Sequence, residues 1–272
     1  MTSSSSATWA KKVVLVTGAS SGLGKALAAE FAAQGAHVIL TARGAEMLQA
    51  TAREITAAGG SATPIVADVT DDQSVARLFA QIIQQHDRLD VLVNNVGLST
   101  RKSVCETTAA DVTAQMEINF HSLVRCTHTA LPHLKKSRGR IINIGSLASK
   151  VGTRFMGGYP ASKHAVAAYS QQLRMELNGS GVSVLLVCPG PIARDVQRSY
   201  SAEEDDSLPD HAAEPGSGAK IKALDPVRLA SKVVSAAAKR KPEIVVPGKA
   251  RLLFTIAQLS PRLGDWLLRK FT

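Results

Sequence analysis

Between Lys12 and Val246 this chain alternates short β-branched runs with stretches in which apolar residues return every three or four positions. "KVVLVTGAS" is followed by Leu23, Leu27 and Phe31, and "AHVILTA" by a helical stretch from about Ala45 to Ala58. "ATPIVADV" is followed by Val75, Leu78, Phe79 and Ile82, and "LDVLVNNVG", "RIINIGS", "VSVLLVCPG" and "PEIVVPG" supply four further runs. Runs that are apolar at consecutive positions suit strands covered on both faces. Strands separated by helices pair in parallel through right-handed crossovers. The pattern therefore predicts an α/β fold: a doubly wound parallel sheet with helices on both faces, in a single domain. A chain of 272 residues can bury such a core without disulfides or a structural metal. Ligands in this architecture bind at the carboxyl ends of the strands, so the turns there carry the chemistry.

The first of those turns is "TGASSGLG", Thr17 to Gly24, with glycines at 18, 22 and 24. Glycines allow a sharp turn and a close approach to a pyrophosphate, whose charge the following helix N-terminus stabilises. A tight loop with no ligand has the same composition. Its place after the first strand of a βαβ chain favours a dinucleotide, and so a Rossmann-like fold. Where the second strand ends, an NAD site would carry an acid for the ribose 2′-hydroxyl. Here the strand ends "LTARGAE", with Arg43 and no acid immediately beside it. A guanidinium suits a 2′-phosphate, so NADP is expected over NAD; the other reading is an arginine solvated on a loop.

"GGYPASKHAVAAYS" sets Tyr159 four residues before Lys163, with Pro160 between them. Proline suits a first helical turn, and positions i and i+4 share a face. A free phenol, with a pKa of about 10, is a poor acid–base partner at neutral pH, and a cation close by favours its ionised form. A tyrosine outside a helix start with a solvated lysine on the first turn would read the same. Ser146 closes the run "RIINIGS" and is either a turn serine or a site residue. Asn119 lies on or beside a stripe of Val112, Met116, Phe120 and Leu123, and a buried amide there needs partners.

From about Lys12 to Ile192 the chain resembles the short-chain dehydrogenase/reductase family. The resemblance rests on TGASSGLG, Asp68-Val69, Asn94-Asn95-Val96-Gly97, Asn119, Ser146, Tyr159-x-x-x-Lys163 and Pro189-Gly190. It implies an oxidoreductase that moves hydride between a nicotinamide and a ketone or secondary alcohol. Tyr159 would be the general acid or base, and Lys163 would lower its pKa and bind the nicotinamide ribose. Ser146 would orient the substrate oxygen, and Asn119 would hold a water that links Lys163 to solvent. Cofactor contacts would come from Gly18, Ser20, Ser21, Gly22, Leu23, Gly24, Arg43, Asp68, Val69, Asn95, Val96 and Gly97. Tyr159, Lys163, Pro189, Gly190 and Ile192 would complete them. Val96 replaces the alanine usual in the family, and Arg194 stands where a threonine is frequent. A nucleotide-binding regulator that keeps the fold without turnover is the alternative. The intact Ser146, Tyr159 and Lys163 argue against it.

The formal charge of +10 is uneven. From Ala219 onward there are 12 Lys and Arg against 3 Asp and Glu, while the first 218 residues are almost balanced. "GKARLLFTIAQLSPRLGDWLLRKFT" is basic and amphipathic, with Leu252, Leu253, Ile256 and Leu259 at helical spacing, then Leu263, Trp266, Leu267 and Phe271. It could lie on a membrane, cover the substrate pocket or pack on a second subunit. Few aromatics and no reading motif argue against nucleic acid. Domain expectations are a disordered leader at 1–10, the folded domain at 11–248 with a substrate lid at 193–224, and the basic segment at 249–272. The helix after Pro160 has two apolar flanks, Val166, Tyr169 and Leu173 on one and Ala165, Ala168 and Met175 on the other. That suggests a homodimer or homotetramer, since the family commonly pairs through this helix. Cys105, Cys126 and Cys188 lack metal-ligand spacing and read as reduced core thiols of a cytoplasmic protein, peripherally membrane-bound if the C-terminal segment binds lipid.

Overall fold

The structure, a computed structural model, describes residues 6–193 and 222–271. Its strands are β1 (Val13–Thr17), β2 (His37–Ala42), β3 (Ser61–Val66), β4 (Val91–Asn94), β5 (Arg140–Ile144), β6 (Ser183–Pro189) and β7 (Glu243–Val246). They form one parallel sheet in the order β3-β2-β1-β4-β5-β6-β7. The helices are α1 (Ser6–Trp9), α2 (Gly22–Ala33), α3 (Ala45–Ala57), α4 (Asp72–His86) and α5 (Ala109–Met116). They continue with α6 (Ser122–Ser137), α7 (Tyr159–Glu176), α8 (Pro226–Ala238), α9 (Ala250–Leu259) and α10 (Pro261–Phe271).

The pleat sends successive side chains to opposite faces, and both faces are covered. Val14, Val16, Val38 and Leu40 meet α2, α3 and α8. Val13, Leu15, Ile39 and Leu92 meet α4, α6 and α7. β3 lies at an edge, where Pro64 is tolerated because one side of the strand needs no ladder hydrogen bond. The strand order reverses between β1 and β4, so the turns after these two strands flank a crevice at the carboxyl end of the sheet.

Two expectations need correction. Order begins before residue 11: α1 covers Ser6–Trp9, and Trp9 is fully buried, edge-on to Phe31 at 4.9 Å with the Arg140 guanidinium 4.8 Å from its ring. An indole that large contributes to the core wherever the chain can deliver it. Cys105 is exposed rather than a core thiol, because it sits in the polar turn before α5; Cys126 and Cys188 are buried. Most of the expected lid, residues 194–221, lies outside the described residues. Its two described ends are tied together: Ala193 N donates to Leu224 O at 2.9 Å, and Leu224 N to Pro191 O at 2.7 Å.

Candidate active site

β1 delivers the chain into α2 through Gly18–Ser21. Gly18 and Gly22 have φ of +64° and +52°, a region L side chains rarely enter. A Cβ on Gly24 would lie 2.0 Å from Gly18 O, so the first turn of α2 rests directly on the loop. Ser21, the N-cap, is extended and makes no side-chain cap bond. The amides opening α2 therefore remain available to an anion. Ser20 is half-buried, and Leu23 is buried and roots the turn in the core. These features fit the pyrophosphate of a dinucleotide.

β4 holds that loop in place. Asn95 Nδ2 donates to Thr17 O at 3.0 Å and Gly18 O at 3.2 Å, and Asn95 N donates to Thr17 Oγ1 at 2.9 Å. The Asn95 side chain is thus committed to fixing the glycine loop. Val96 packs on the same glycine, its Cγ2 3.3 Å from where a Gly18 Cβ would be, so its extra methyl groups fill space beside the loop. At the end of β3, Asp68 Oδ1 accepts from Thr70 Oγ1 at 2.7 Å and Thr70 N at 2.9 Å. The Thr70 hydroxyl bond, then its amide and the nearby Arg43 and Arg125 charges, outweigh burial and hold the Asp68 carboxyl below its usual range. Val69 is buried beneath it. Arg43 is exposed, one residue past β2, with a field that reaches Asp68.

Tyr159 opens α7, with Pro160 in the first turn, and Lys163 follows on the same face. Lys163 Nζ lies 5.7 Å from the centre of the Tyr159 ring and donates to Ile144 O at 2.9 Å, at the end of β5. The lysine is 4% exposed, and burial pushes its pKa down from 10.5 to about 8. Two residues past β5, Ser146 caps the 3-10 turn Leu147–Ser149, which packs against α7. Ser146 Oγ accepts from Ala148 N at 3.1 Å, which fixes the hydroxyl while leaving its proton uncommitted among the described residues. Ser146 is thus a turn cap, and the turn it caps packs against the helix that carries Tyr159.

Asn119 occupies a π-helical turn, Glu117–His121, between α5 and α6. The expected stripe is not the most buried face: Gln115 and Asn119 are buried, whereas Val112, Met116 and Phe120 are only half-buried. Asn119 Oδ1 accepts from Leu98 N at 2.7 Å. Its Nδ2 is offered Leu98 O at 2.9 Å, Ser162 Oγ at 3.0 Å and Gln115 Oε1 at 3.2 Å. Asn119 therefore ties the chain after β4 to α7. A Cβ on Gly97 would lie 3.1 Å from Lys163 Nζ and 3.2 Å from Asn119 Oδ1, which places all three around one point. Gln115, Ser162 and the Ile144 carbonyl belong to this centre without having been read from the sequence. Ser162 alone had a signal there, inside the Tyr-x-x-x-Lys spacing.

Pro189 ends β6, Gly190 N donates to Val246 O at 2.7 Å, and Ile192 bridges to Leu224 at the base of the following segment. Arg194 lies outside the described residues.

Residues 12–205 match the short chain dehydrogenase family. The chain belongs to the short-chain dehydrogenase/reductase family. Membership makes it an oxidoreductase with a nicotinamide dinucleotide as cofactor, the activity its motifs led us to expect over the turnover-free regulator held as the alternative. It is 35% identical to 11-beta-hydroxysteroid dehydrogenase-like 4A of Arabidopsis thaliana over 93% of this chain and 82% of that protein. It is 30% identical to the ketoacyl reductase HetN of Nostoc sp. over 96% and 89% of the two chains. A 3-ketodihydrosphingosine reductase of Bacteroides thetaiotaomicron is 37% identical over 66% of this chain and 63% of its own. A metagenomic short-chain oxidoreductase, solved in complex with NADP, superposes with a TM-score of 0.71 at 30% identity, covering 88% of this chain and 97% of that one.

Proposed function

We propose that this short-chain dehydrogenase/reductase is an NADP-dependent carbonyl reductase acting on an apolar or lipid-like ketone, or on the matching secondary alcohol. One observation carries the reading: a fully enclosed ammonium beside the ring of the tyrosine that opens α7. When bound, the nicotinamide supplies or accepts the hydride. Tyr159 would give the proton that the carbonyl oxygen gains in reduction, or take it back in oxidation. Lys163 would favour the ionised phenol, Ser146 would donate to the substrate oxygen, and Asn119 would keep Gly97 and α7 in register beside them. An NADPH-oxidation screen over ketones and aldehydes of graded size tests the reading. Turnover should favour larger apolar ketones, and no turnover across the series would sink it.

Preference for NADP rests on Arg43, which stands past β2 where an acid would serve NAD. Its field already reaches Asp68, so it lies near the end of β3 as well. Arg43→Ala should raise the KM for NADPH about tenfold, the size of one lost charge-assisted pairing, and leave the KM for NADH nearly unchanged. Equal kcat/KM for the two cofactors in the unaltered protein would refute the preference.

The apolar-substrate reading draws on the cluster that adjoins Ser146. Leu147, the residue after Ser146, is partly buried and packs on the core cluster of Val151, Val166, Cys188 and Phe254, which would give the serine an apolar wall. The hydroxysteroid, ketoacyl and ketodihydrosphingosine names of the relatives agree with such a wall. We also infer a homodimer or homotetramer through α7. Val166 and Leu173 are buried in the subunit, whereas Ala168 is exposed and Met175 is 70% exposed on the other flank. Light scattering should give a mass of two or four chains; a single-chain mass at micromolar concentration removes this interface.

A further inference from the structure

α9 and α10 fold back on each other at Ser260, and the two helices nearly touch. A Cβ on Gly264 would lie 2.6 Å from the Ala257 Cα, so the pair is closely packed. One side of this hairpin is anchored. Phe254 is buried, and with Ala250, Ala257 and Leu268 it packs on the cluster of Val166, Cys188 and Val245. The other side stays apolar and open: Leu252 is 69% exposed, Leu259 81%, Leu263 47% and Trp266 50%. Four of the ten large hydrophobic residues exposed in the described chain thus lie within fifteen positions, which makes them a patch rather than scatter. Lys249, Arg251, Arg262, Arg269 and Lys270 surround them against a single acid, Asp265. Lys270 Nζ stands 5.3 Å from the centre of the Trp266 ring, pairing a cation with the residue type that prefers the boundary between water and lipid.

We propose that the outer side of the α9–α10 hairpin docks on an anionic phospholipid surface. Its leucines and Trp266 enter the headgroup boundary while its lysines and arginines meet the phosphates. Three occupants compete for such a patch, and charge and geometry separate them. A lid over this chain's own pocket would need the exposed residues to face inward, and it is Phe254 and Leu268 that do so. A second copy joined about a two-fold axis would bring the same patch against itself, five cations and one acid facing five cations and one acid. An anionic bilayer complements both the charge and the apolar face. No described helix is long and apolar enough to cross a membrane, so the hairpin lies on the surface. The cluster that seats it also holds Leu147, next to Ser146, and Val166, three residues past Lys163. A docked bilayer would therefore be separated from the elements that carry the active site by the hairpin itself.

Sedimentation of the full-length protein with vesicles tests this without any turnover, so the proposal and the reductase reading fail separately. The protein should pellet with phosphatidylcholine vesicles containing about 30% phosphatidylglycerol, not with phosphatidylcholine alone, and bind less as salt rises. Removing cations in Arg262→Gln, Arg269→Gln and Lys270→Gln should weaken binding about fivefold each. Leu259→Ser combined with Trp266→Ser should abolish it at an unchanged melting temperature, since both side chains are exposed. Of the two tryptophans, Trp9 is fully buried, so a blue shift of emission on adding vesicles reports Trp266. Failure to pellet with anionic vesicles at low salt overturns the proposal, as does equal binding by the Leu259/Trp266 variant. A dimer that this variant dissolves, with no vesicle binding by the unaltered protein, would assign the patch to a second copy instead.

Discussion

Replacing Tyr159 with phenylalanine should lower kcat for ketone reduction about a thousandfold, within the range that a positioned proton donor contributes. NADPH affinity should stay within about twofold, because the substitution removes one oxygen and leaves the start of α7 as it is. The bonds that set this start use the backbone: Tyr159 N donates to Met156 O at 3.0 Å, and Ser162 Oγ donates to Tyr159 O at 2.8 Å. Lys163 keeps its own anchor on Ile144 O. A variant that retained a tenth of the turnover, measured by NADPH oxidation with saturating ketone, would remove Tyr159 as proton donor. So would a fall in rate matched by an equal fall in cofactor affinity.

The position of Lys163 has a physical cost that supports this assignment. Burial lowers its pKa from 10.5 to about 8, so the fold disfavours the charge it encloses. The direction matters for stability. Below about pH 8 the folded lysine is protonated and carries the burial penalty in full. Between about 8 and 10.5 the folded form sheds a proton that the unfolded chain still holds, so stability rises with pH across that window. A structural role would be met by an uncharged residue of similar size. An ammonium held at neutral pH beside a phenol is what the proposed role requires, a cation that favours the ionised phenol.

The sheet was legible because its strands are short runs, mostly apolar at consecutive positions, that alternate with helical periodicity along the chain. β2, β5 and β6 fall within one or two residues of their expected places. α8 was not anticipated, although it buries Leu229, Ala230, Val233 and Val234 against the core. Its sequence follows a long polar stretch that hides where regular structure resumes. The π-turn at Glu117–His121 left no trace either, since one inserted residue shifts the face of a helix without changing its composition. Trp9 was lost to the serines before it, which read as a tail. In the site, the residue types and spacing were legible and their bonding was not. Asn95 reaches Thr17 across 78 positions and Asn119 reaches Ser162 across 43, distances that only the closed sheet brings together.

Gly24→Ala should destabilise the protein by about 3 kcal/mol or more and raise the NADPH Kd more than about tenfold. Local preference points the other way, since alanine is the better helix former by about 1 kcal/mol. Sterics decide the sign. The added methyl would sit 2.0 Å from Gly18 O and 2.6 Å from Asn95 Nδ2. Neither neighbour can yield cheaply. Gly18 O belongs to backbone held at φ +64° and accepts from Asn95 Nδ2, while Asn95 is tied by its own amide to Thr17 Oγ1. Relief requires α2 to move off the loop, which displaces the helix amides from the glycine turn and disturbs the packing of Leu27 and Phe31. Gly22→Ala is the internal comparison: it has open space around it but φ of +52°, so its cost should be only the left-handed strain, about 1–2 kcal/mol. Urea unfolding of the cofactor-free proteins measures the stability terms, and fluorescence titration measures the affinities. If Gly24→Ala unfolded no earlier than Gly22→Ala and bound NADPH as the unaltered protein does, close contact between helix and loop would not be what shapes the cofactor site.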